Sequence, residues 1–371
     1  MKKYLVILTV IFVMLTGATF SNAVPGITEN QNVKVIIDGK TTTYDQSPIT
    51  VNGRTLLPLR AILTNLGVPN DDAHIIWSGS DKSVTVVNNS IKIFLKVDST
   101  TASVNGQNVE IDAAPVNYQD HVYIPARFVS QSLGKKVFWD KLTSSVLIRN
   151  EKDFNDTKDI LAKCNEALKN ITKMKFTLSG NSVSSRSNKD KMDFTIQGEV
   201  NKDKRMFHYL INDHSDEHYN IESYCTDKNV YTKLGSTNVW NPGPISSEQF
   251  EEALSTNGGT IDMNYSDELI AGLAVDTSDP DQVVLKGDIY RDPFFKVFNQ
   301  DVNGLGIEFV KLYTELHIDK KSNLPSKVVA NVAFKSQSNI GSNGALITNG
   351  VEITYTDFNG NVDIALPDGL K

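Results

Sequence analysis

Cysteine is scarce. Cys164 and Cys225 are the two in 371 residues, which excludes a small disulfide-stapled scaffold. A chain of this length buries an adequate core without such staples. Histidine is nearly as rare, with six residues and no His-x-His pair. With two Cys so far apart, the Cys-x-x-Cys spacings of common zinc sites are missing. Basic excess is missing too: 37 Lys and Arg stand against 44 Asp and Glu, for a net charge of −7. An acidic chain repels nucleic acid unless a local basic patch intervenes. The short cluster Lys202-Asp203-Lys204-Arg205 carries an acid within it. There is no Gly-x-Ser-x-Gly, no P-loop and no catalytic Cys/His pattern. After the N-terminus no apolar run approaches the roughly 20 residues of a membrane-spanning helix. These absences leave no reaction with a recognisable constellation, and no cofactor is expected.

What is present begins with a leader. Lys2 and Lys3 precede an almost wholly apolar run, Leu5 to Leu15, and Ser21-Asn22-Ala23 offers a small-x-small cleavage site. This pattern predicts a secretory signal over residues 1–23 and an exported, secreted or surface-associated protein. Cleavage of the segment and its retention as an anchor both stay open. No Cys follows the apolar run, so a lipid anchor of the bacterial lipoprotein type has no acceptor there.

The next 120 residues contain a duplication. Asp38-Gly39 is answered 67 positions later by Asn105-Gly106, Pro48 by Pro115, and Leu57-Pro58-Leu59-Arg60 by Ile124-Pro125-Ala126-Arg127. Leu66-Gly67 is answered by Leu133-Gly134, and each copy runs on to a tryptophan, Trp77 or Trp139. The first copy carries about five extra residues, Pro69 to Ala73. Such repetition marks a duplicated supersecondary unit. The Asp-Gly and Asn-Gly pairs predict tight hairpins, because both central residues accept positive φ. Pro58 and Pro125 suit a helix start, and Gly67 and Gly134 suit its end. The copies are read as 31–88 and 98–150, each closed by a strand through its Trp and another through Val84-Thr85-Val86 or Val146-Leu147-Ile148.

The segment 31–150 resembles the copper amine oxidase N-terminal-like, or stalk, domain on those repeated motifs. The resemblance implies an α/β accessory domain of exported bacterial proteins, and no amine oxidation. A quinone-forming Tyr would need a following acid, but Tyr118 precedes Gln119 and Tyr265 precedes Ser266. For Arg60 and Arg127 two readings stand: contact with a polyanion or cell-wall polymer, or a structural role with the stem packed on Trp77 or Trp139. Repetition at equivalent sites favours the structural role, and with it both tryptophans in the core.

Beyond a polar stretch read as a linker over 151–157, the second domain spans 158–371. A helix is predicted near 157–173, with Ile160, Leu161, Cys164, Leu168 and Ile171 on one face. Alternating strands follow, clearest in Val310 to Ile318, Val328 to Phe334 and Val351 to Tyr355. Short helices are expected near 248–254, 267–273 and 292–299, with Ser246 and Gln249 as a capping box. Cys164 and Cys225 fall in helix-like and strand-like patterns, which leaves a disulfide or two inert thiols open.

The closing run Leu316-His317-Ile318-Asp319 … Leu324-Pro325, then Ile353-Thr354-Tyr355-Thr356-Asp357-Phe358-Asn359 and Ile364-x-Leu366-Pro367, is similar to the last strands of the LolA/LppX-like lipoprotein superfamily. The resemblance implies a curved antiparallel half-barrel with helices over its concave face, and a lipid or lipidated partner. The fold class expected is α+β and β-rich: a duplicated α/β stalk domain, then a helix-covered half-barrel. Val310, Leu312, Leu316, Val328, Val332, Phe334, Val351 and Ile353 are the candidate ligand-lining residues, against the alternative of a dry core under the helices. His208, His214 and His218 form the one His cluster, on a polar hairpin tip rather than a helix, so no metal site is expected. Gly341-Ser342-Asn343-Gly344 reads as a hairpin loop.

Function follows as expectation: a non-enzymatic envelope protein of Gram-positive type that binds an apolar ligand, lipid or lipidated partner, with the stalk for attachment. The alternatives are an adaptor without a small ligand and a cell-wall hydrolase.

Overall fold

The computed structural model describes residues 26–141, 143–185, 187–214, 220–235, 237, 239–256, 261, 263–289, 307–336 and 345–370. The expected leader, the helix near 292–299, His218 and the Gly341–Gly344 loop lie outside them. Contacts divide the chain after Asn155 into two compact units. Among the described residues no helix is long and apolar enough to cross a membrane.

The first unit holds strands β1 (Thr28–Glu29), β2 (Lys34–Ile37), β3 (Lys40–Thr41), β4 (Ile49–Val51), β5 (Arg54–Pro58), β6 (Ile75–Ser78) and β7 (Ser83–Asn88). They are followed by β8 (Ile91–Lys96), β9 (Thr101–Val104), β10 (Gln107–Glu110), β11 (Val116–Tyr118), β12 (His121–Pro125), β13 (Lys135–Asp140) and β14 (Ser145–Asn150). Helix α1 (Leu59–Asn65) sits in the first copy and α2 (Ala126–Ser132) in the second. The predicted turns form: Asp38, Asn52 and Asn105 take φ near +50°, each followed by a glycine at positive φ. Gly67 and Gly134 end the helices at φ +89° and +73°. The prolines stand one residue earlier than expected, at the N-cap, where each also closes a strand.

The copies do not close on themselves as expected. They interlock through three sheets. One runs β1-β4-β5-β12-β11, and its centre pairs the two copies, with Leu56 opposite Pro125, Leu57 opposite Ile124 and Pro58 opposite Tyr123. These partners exchange under the repeat, so a local two-fold passes through the Leu57–Ile124 pair. The last hairpin of the second copy, β13-β14, takes β2 of the first copy as its parallel neighbour. The last hairpin of the first copy reaches β9 of the second through β8. Alternation tells which face of a strand is apolar but not which strand lies beside it. The main core cluster draws on both copies and buries Val35, Leu57, Ile62, Leu63, Ile124, Val129 and Ile148, beside a smaller cluster of Ile49, Leu56 and Tyr123.

Helix α3 (Glu151–Leu168) begins six residues before the helix expected near 157. The 151–157 linker is thus its first two turns. Asn150 caps it, its side chain accepting from the N–H groups of Lys152 at 2.9 Å and Asp153 at 3.5 Å. Glu151 and Asp153 suit the positive helix start, so a polar run that reads as linker is N-terminal helix chemistry.

The second unit is built on one antiparallel sheet, with eleven strands among the described residues, that curls into a half-barrel. Its strands are β15 (Lys173–Ser184), β16 (Ser187–Asn201), β17 (Met206–Asp213), β18 (Ile221–Thr226), β19 (Asn229–Leu234) and β20 (Trp240–Pro244). The others are β21 (Ala274–Asp276), β22 (Gln282–Gly287), β23 (Ile307–Asp319), β24 (Pro325–Ser336) and β25 (Leu346–Thr356). The order is β20-β19-β18-β17-β16-β15-β25-β24-β23-β22-β21. Pro242 and Pro244 lie in β20, an edge strand, where a missing N–H is tolerated. Helices α4 (Ser247–Thr256) and α5 (Asp267–Ala271) fall between β20 and β21. The capping box forms: Ser246 N–H donates to Gln249 Oε1 at 2.9 Å, and Gln249 N–H donates to Ser246 Oγ at 3.1 Å.

Candidate functional site

Cross-strand partners share a face of a sheet, so register decides which side chains line the concave side. One row crosses ten strands. Val275 faces Leu285, Leu285 faces Leu316, Leu316 faces Val328 and Val328 faces Ile353. Ile353 then faces Leu178, Leu178 faces Ile196, Ile196 faces Ile211, Ile211 faces Ile221 and Ile221 faces Leu234. Every member is aliphatic.

Cover over this row is graded. Leu285, Leu316, Val328, Ile353 and Leu178 are buried, with Leu316 and Ile353 at 0% exposure. Ile196, Ile211 and Ile221 are half-buried, as is Val275 at the row's other end. Leu234 is 51% exposed. The covering groups explain the gradient. Thr314, beside Leu316 on the same face, donates from Oγ1 to the Ile289 carbonyl at 2.8 Å, which holds that segment over β23. Gly272 lies under Ile289: a Cβ there would stand 2.2 Å from Cγ2. At the other side, Phe250 of α4 packs on Phe207, ring centroids 5.7 Å apart. Phe207, in register with Val200 and Cys225, belongs to a lower row. Ile211 is four residues beyond Phe207 on β17 and is half-buried where Phe207 is buried.

The eight expected lining residues therefore separate. Leu312, Leu316, Val328, Val332 and Ile353 are buried under packed protein, and Phe334 and Val351 are half-buried. Val310 departs from the expectation at 45% exposure. A β-bulge is the reason: Phe309 pairs Phe334 and Lys311 pairs Ala333, so Val310 has no partner and leaves the alternation. The Oδ1 atom of Asn349, opposite Val332, is buried without a hydrogen-bond partner. Sequence reasoning missed Ile196, Ile211 and Ile221; the alternation of β16 to β18 was visible, but which of those residues stay uncovered depends on helix placement.

Two cross-strand glycines flank the row. On β15 and β16, Phe176 is opposite Gly198 and Phe194 is opposite Gly180, with Leu178–Ile196 between them. Each ring lies over the facing glycine: a Cβ on Gly198 would stand 2.1 Å from Phe176, and one on Gly180 2.5 Å from Phe194.

The polar candidates lie elsewhere. His208 is on the opposite face of β17, 3.3 Å from Glu222 and 3.7 Å from Glu199, and stacked on Tyr224. Burial alone would raise the Glu222 carboxyl, but Lys233 at 2.5 Å and His208 hold it below its ordinary value. Among the described residues no group of three or more His, Cys, Asp or Glu side chains converges on a metal position. Cys164 and Cys225 are free, buried thiols, pushed up by burial to about 12 and about 11.

In the first unit both tryptophans overturn the core expectation: Trp77 and Trp139 are each 40% exposed. Each walls a cleft, of about 310 Å³ at Trp77 and about 460 Å³ at Trp139. Arg60 lines the first and Arg127 the second. Among the described residues neither arginine stacks on its tryptophan. Arg60 instead donates to Asn70 at 3.0 Å and lies 3.6 Å from Asp72.

Residues 36–148 match the copper amine oxidase N-terminal domain family. No curated protein matches the chain. Among solved structures, lipoprotein LppX of Mycobacterium tuberculosis is similar at 13% identity, over 56% of this chain and 99% of that one, with a TM-score of 0.27. A LolA superfamily protein of Nitrosomonas europaea is similar at 11% identity, over 57% and 95%, with a TM-score of 0.21. A β-barrel-like protein of a domain of unknown function from Brucella abortus is similar at 8%, over 50% and 99%, with a TM-score of 0.18.

Proposed function

We propose that this chain is a non-enzymatic cell-envelope protein that takes an apolar ligand, a lipid or a lipidated partner, on the open end of its half-barrel. The first unit attaches or presents the second, and the leader-like residues 1–23 support export. The observation that carries the reading is the graded row. Its five members from Leu285 to Leu178 are covered core. The stretch Ile196–Ile211–Ile221–Leu234 continues the same apolar line without the same cover. Three strand intervals of about 4.8 Å give that stretch a length of about 14 Å, which suits an acyl chain laid across the strands. Each methylene removed from water there contributes about 0.8 kcal/mol.

The filled core at Leu316 and Ile353 favours a second reading, an adaptor with no small ligand. Wall hydrolysis lacks support in the clefts. Asp112 is the one carboxylate lining the Trp139 cleft and Asp120 the one lining the Trp77 cleft, so neither holds the acid pair that glycan cleavage needs.

Native mass spectrometry of protein from a bacterial host, followed by organic extraction, tests the proposal. A stoichiometric lipid present in wild type and lost in Ile211→Asp, with circular dichroism unchanged, is the expected result. A bare mass that persists after incubation with envelope lipids leaves the adaptor.

A further inference from the structure

The two clefts of the first unit are copies of one construction. In each, the proline and arginine of the Pro-x-Arg motif form one wall, the strand through Trp forms another, and a hairpin from the other copy closes it. Arg54 and Thr55 of β5 reach the Trp139 cleft, and His121 and Val122 of β12 reach the Trp77 cleft. The local two-fold through Leu57 and Ile124 requires this exchange. One chain thus presents two related concave sites, each with an indole left 40% exposed although its cross-strand partner, Val84 or Val146, is buried.

Their charge has diverged, and the sequence shows where. The extra residues Pro69 to Ala73 of the first copy bring Asn70 and Asp72 to Arg60. The second copy lacks that insertion. Arg127 is exposed and has no acidic partner among the described residues. The other charges lining its cleft, Arg54 and Asp112, pair with each other at 2.8 Å. The Trp139 cleft therefore keeps one uncompensated guanidinium beside an open indole, on a chain that is acidic as a whole.

We propose that the Trp139–Arg127 cleft binds an acidic unit of a polysaccharide, and that the Trp77 cleft engages a further unit of the same polymer. The indole faces offer stacking to the C–H face of a sugar ring. Arg127 offers a planar fork to a carboxylate or phosphate. Asn30, Thr50 and Thr55 supply hydroxyl and amide groups in the same cleft. A repeating polymer is the ligand that two related sites on one chain suit, because the second contact becomes intramolecular once the first is made.

Affinity electrophoresis of the full protein through gels containing polygalacturonate, phosphomannan or dextran tests this. Retardation by at least one acidic polymer, exceeding that by dextran, is expected, and which one retards identifies the oxyanion. Arg127→Gln should weaken that retardation about tenfold with the melting temperature unchanged. Trp139→Ala should abolish it and Trp77→Ala reduce it. Asp72→Asn, which releases Arg60, should strengthen it, a gain that a merely structural arginine would not give. No retardation by either acidic polymer overturns the proposal. So does retardation that Arg127→Gln and Trp139→Ala leave intact.

Discussion

Replacing Gly198 by Ala places a methyl group where the ring of Phe176 already lies. The added Cβ would stand 2.1 Å from both Cε1 and Cζ, and real contacts of this kind do not fall below about 3 Å. Phe176 is 3% exposed, so its ring has no solvent to swing into and the backbone or a neighbouring side chain must shift. Overpacking of this sort costs about 1–3 kcal/mol. Removing a glycine from a strand returns about 0.5–1 kcal/mol, so the net loss spans about 0–2.5 kcal/mol and centres on about 1 kcal/mol. For a unit of this size a loss of about 1 kcal/mol lowers the melting temperature by about 2–4 °C. Gly180→Ala is the control. Its clash is with Phe194 at 2.5 Å, but Phe194 is half-buried and its ring can turn outward, so the loss is smaller. The assay is thermal unfolding followed by Trp240 fluorescence in a background with Trp77 and Trp139 changed to Phe, which confines the signal to the second unit. Adding Phe176→Leu to Gly198→Ala should cost less than the two single losses together, because the ring that clashes is gone. A Gly198→Ala protein that melts above wild type, or a Gly180→Ala protein that melts lower, refutes the reasoning.

Two further outcomes follow from the titrating groups. Burial raises Cys164 and Cys225 to about 12 and about 11, so both stay protonated and inert. A thiol reagent should find no reactive cysteine in the native protein at pH 8 and two in denaturant; a rapid native reaction would contradict the buried placement. Glu222 and Glu315 are held below their ordinary values: burial opposes this in both, but Lys233 and His208 outweigh it for Glu222, and Tyr313 and His317 for Glu315. In acid the unfolded chain therefore binds more protons than the folded one. The stability from these carboxylates is present above the unfolded value of about 4.3 and is lost as pH falls through the lower folded values. Urea midpoints should decline below about pH 5, and Glu222→Gln should shallow that decline; an unchanged acid slope in the variant would count against the Glu222 cluster.

Local chemistry was legible before the fold. The Asp-Gly and Asn-Gly turns, the glycine helix ends and the Ser246–Gln249 box all follow from residues within four positions of one another. What failed to read depends on partners distant in sequence. The interlocking of the two copies rests on Leu57 facing Ile124, and nothing in either strand specifies that neighbour. The ten-strand row was visible as separate alternating runs, but only register joins them into one line. Val310 fitted the alternation and lies off it because a bulge adds one residue between Phe309 and Lys311. Trp77 and Trp139 read as core because large aromatics usually bury. Each stays 40% exposed although its cross-strand valine is buried, because it walls a cleft open to solvent. The 151–157 segment is polar because helix starts favour acids, the same composition that marks linkers.

The placement of the apolar ligand is tested most directly by photo-crosslinking. A fatty acid carrying a diazirine on its chain, bound to the full protein, irradiated and mapped by peptide mass spectrometry, reports which strands touch the acyl chain. Label concentrated on peptides containing Ile196, Ile211 and Ile221, displaced by unlabelled fatty acid and absent in Ile211→Asp, is the predicted outcome. Label centred on Leu316, Val328 and Ile353, or no displaceable label at all, would contradict an open end to the half-barrel.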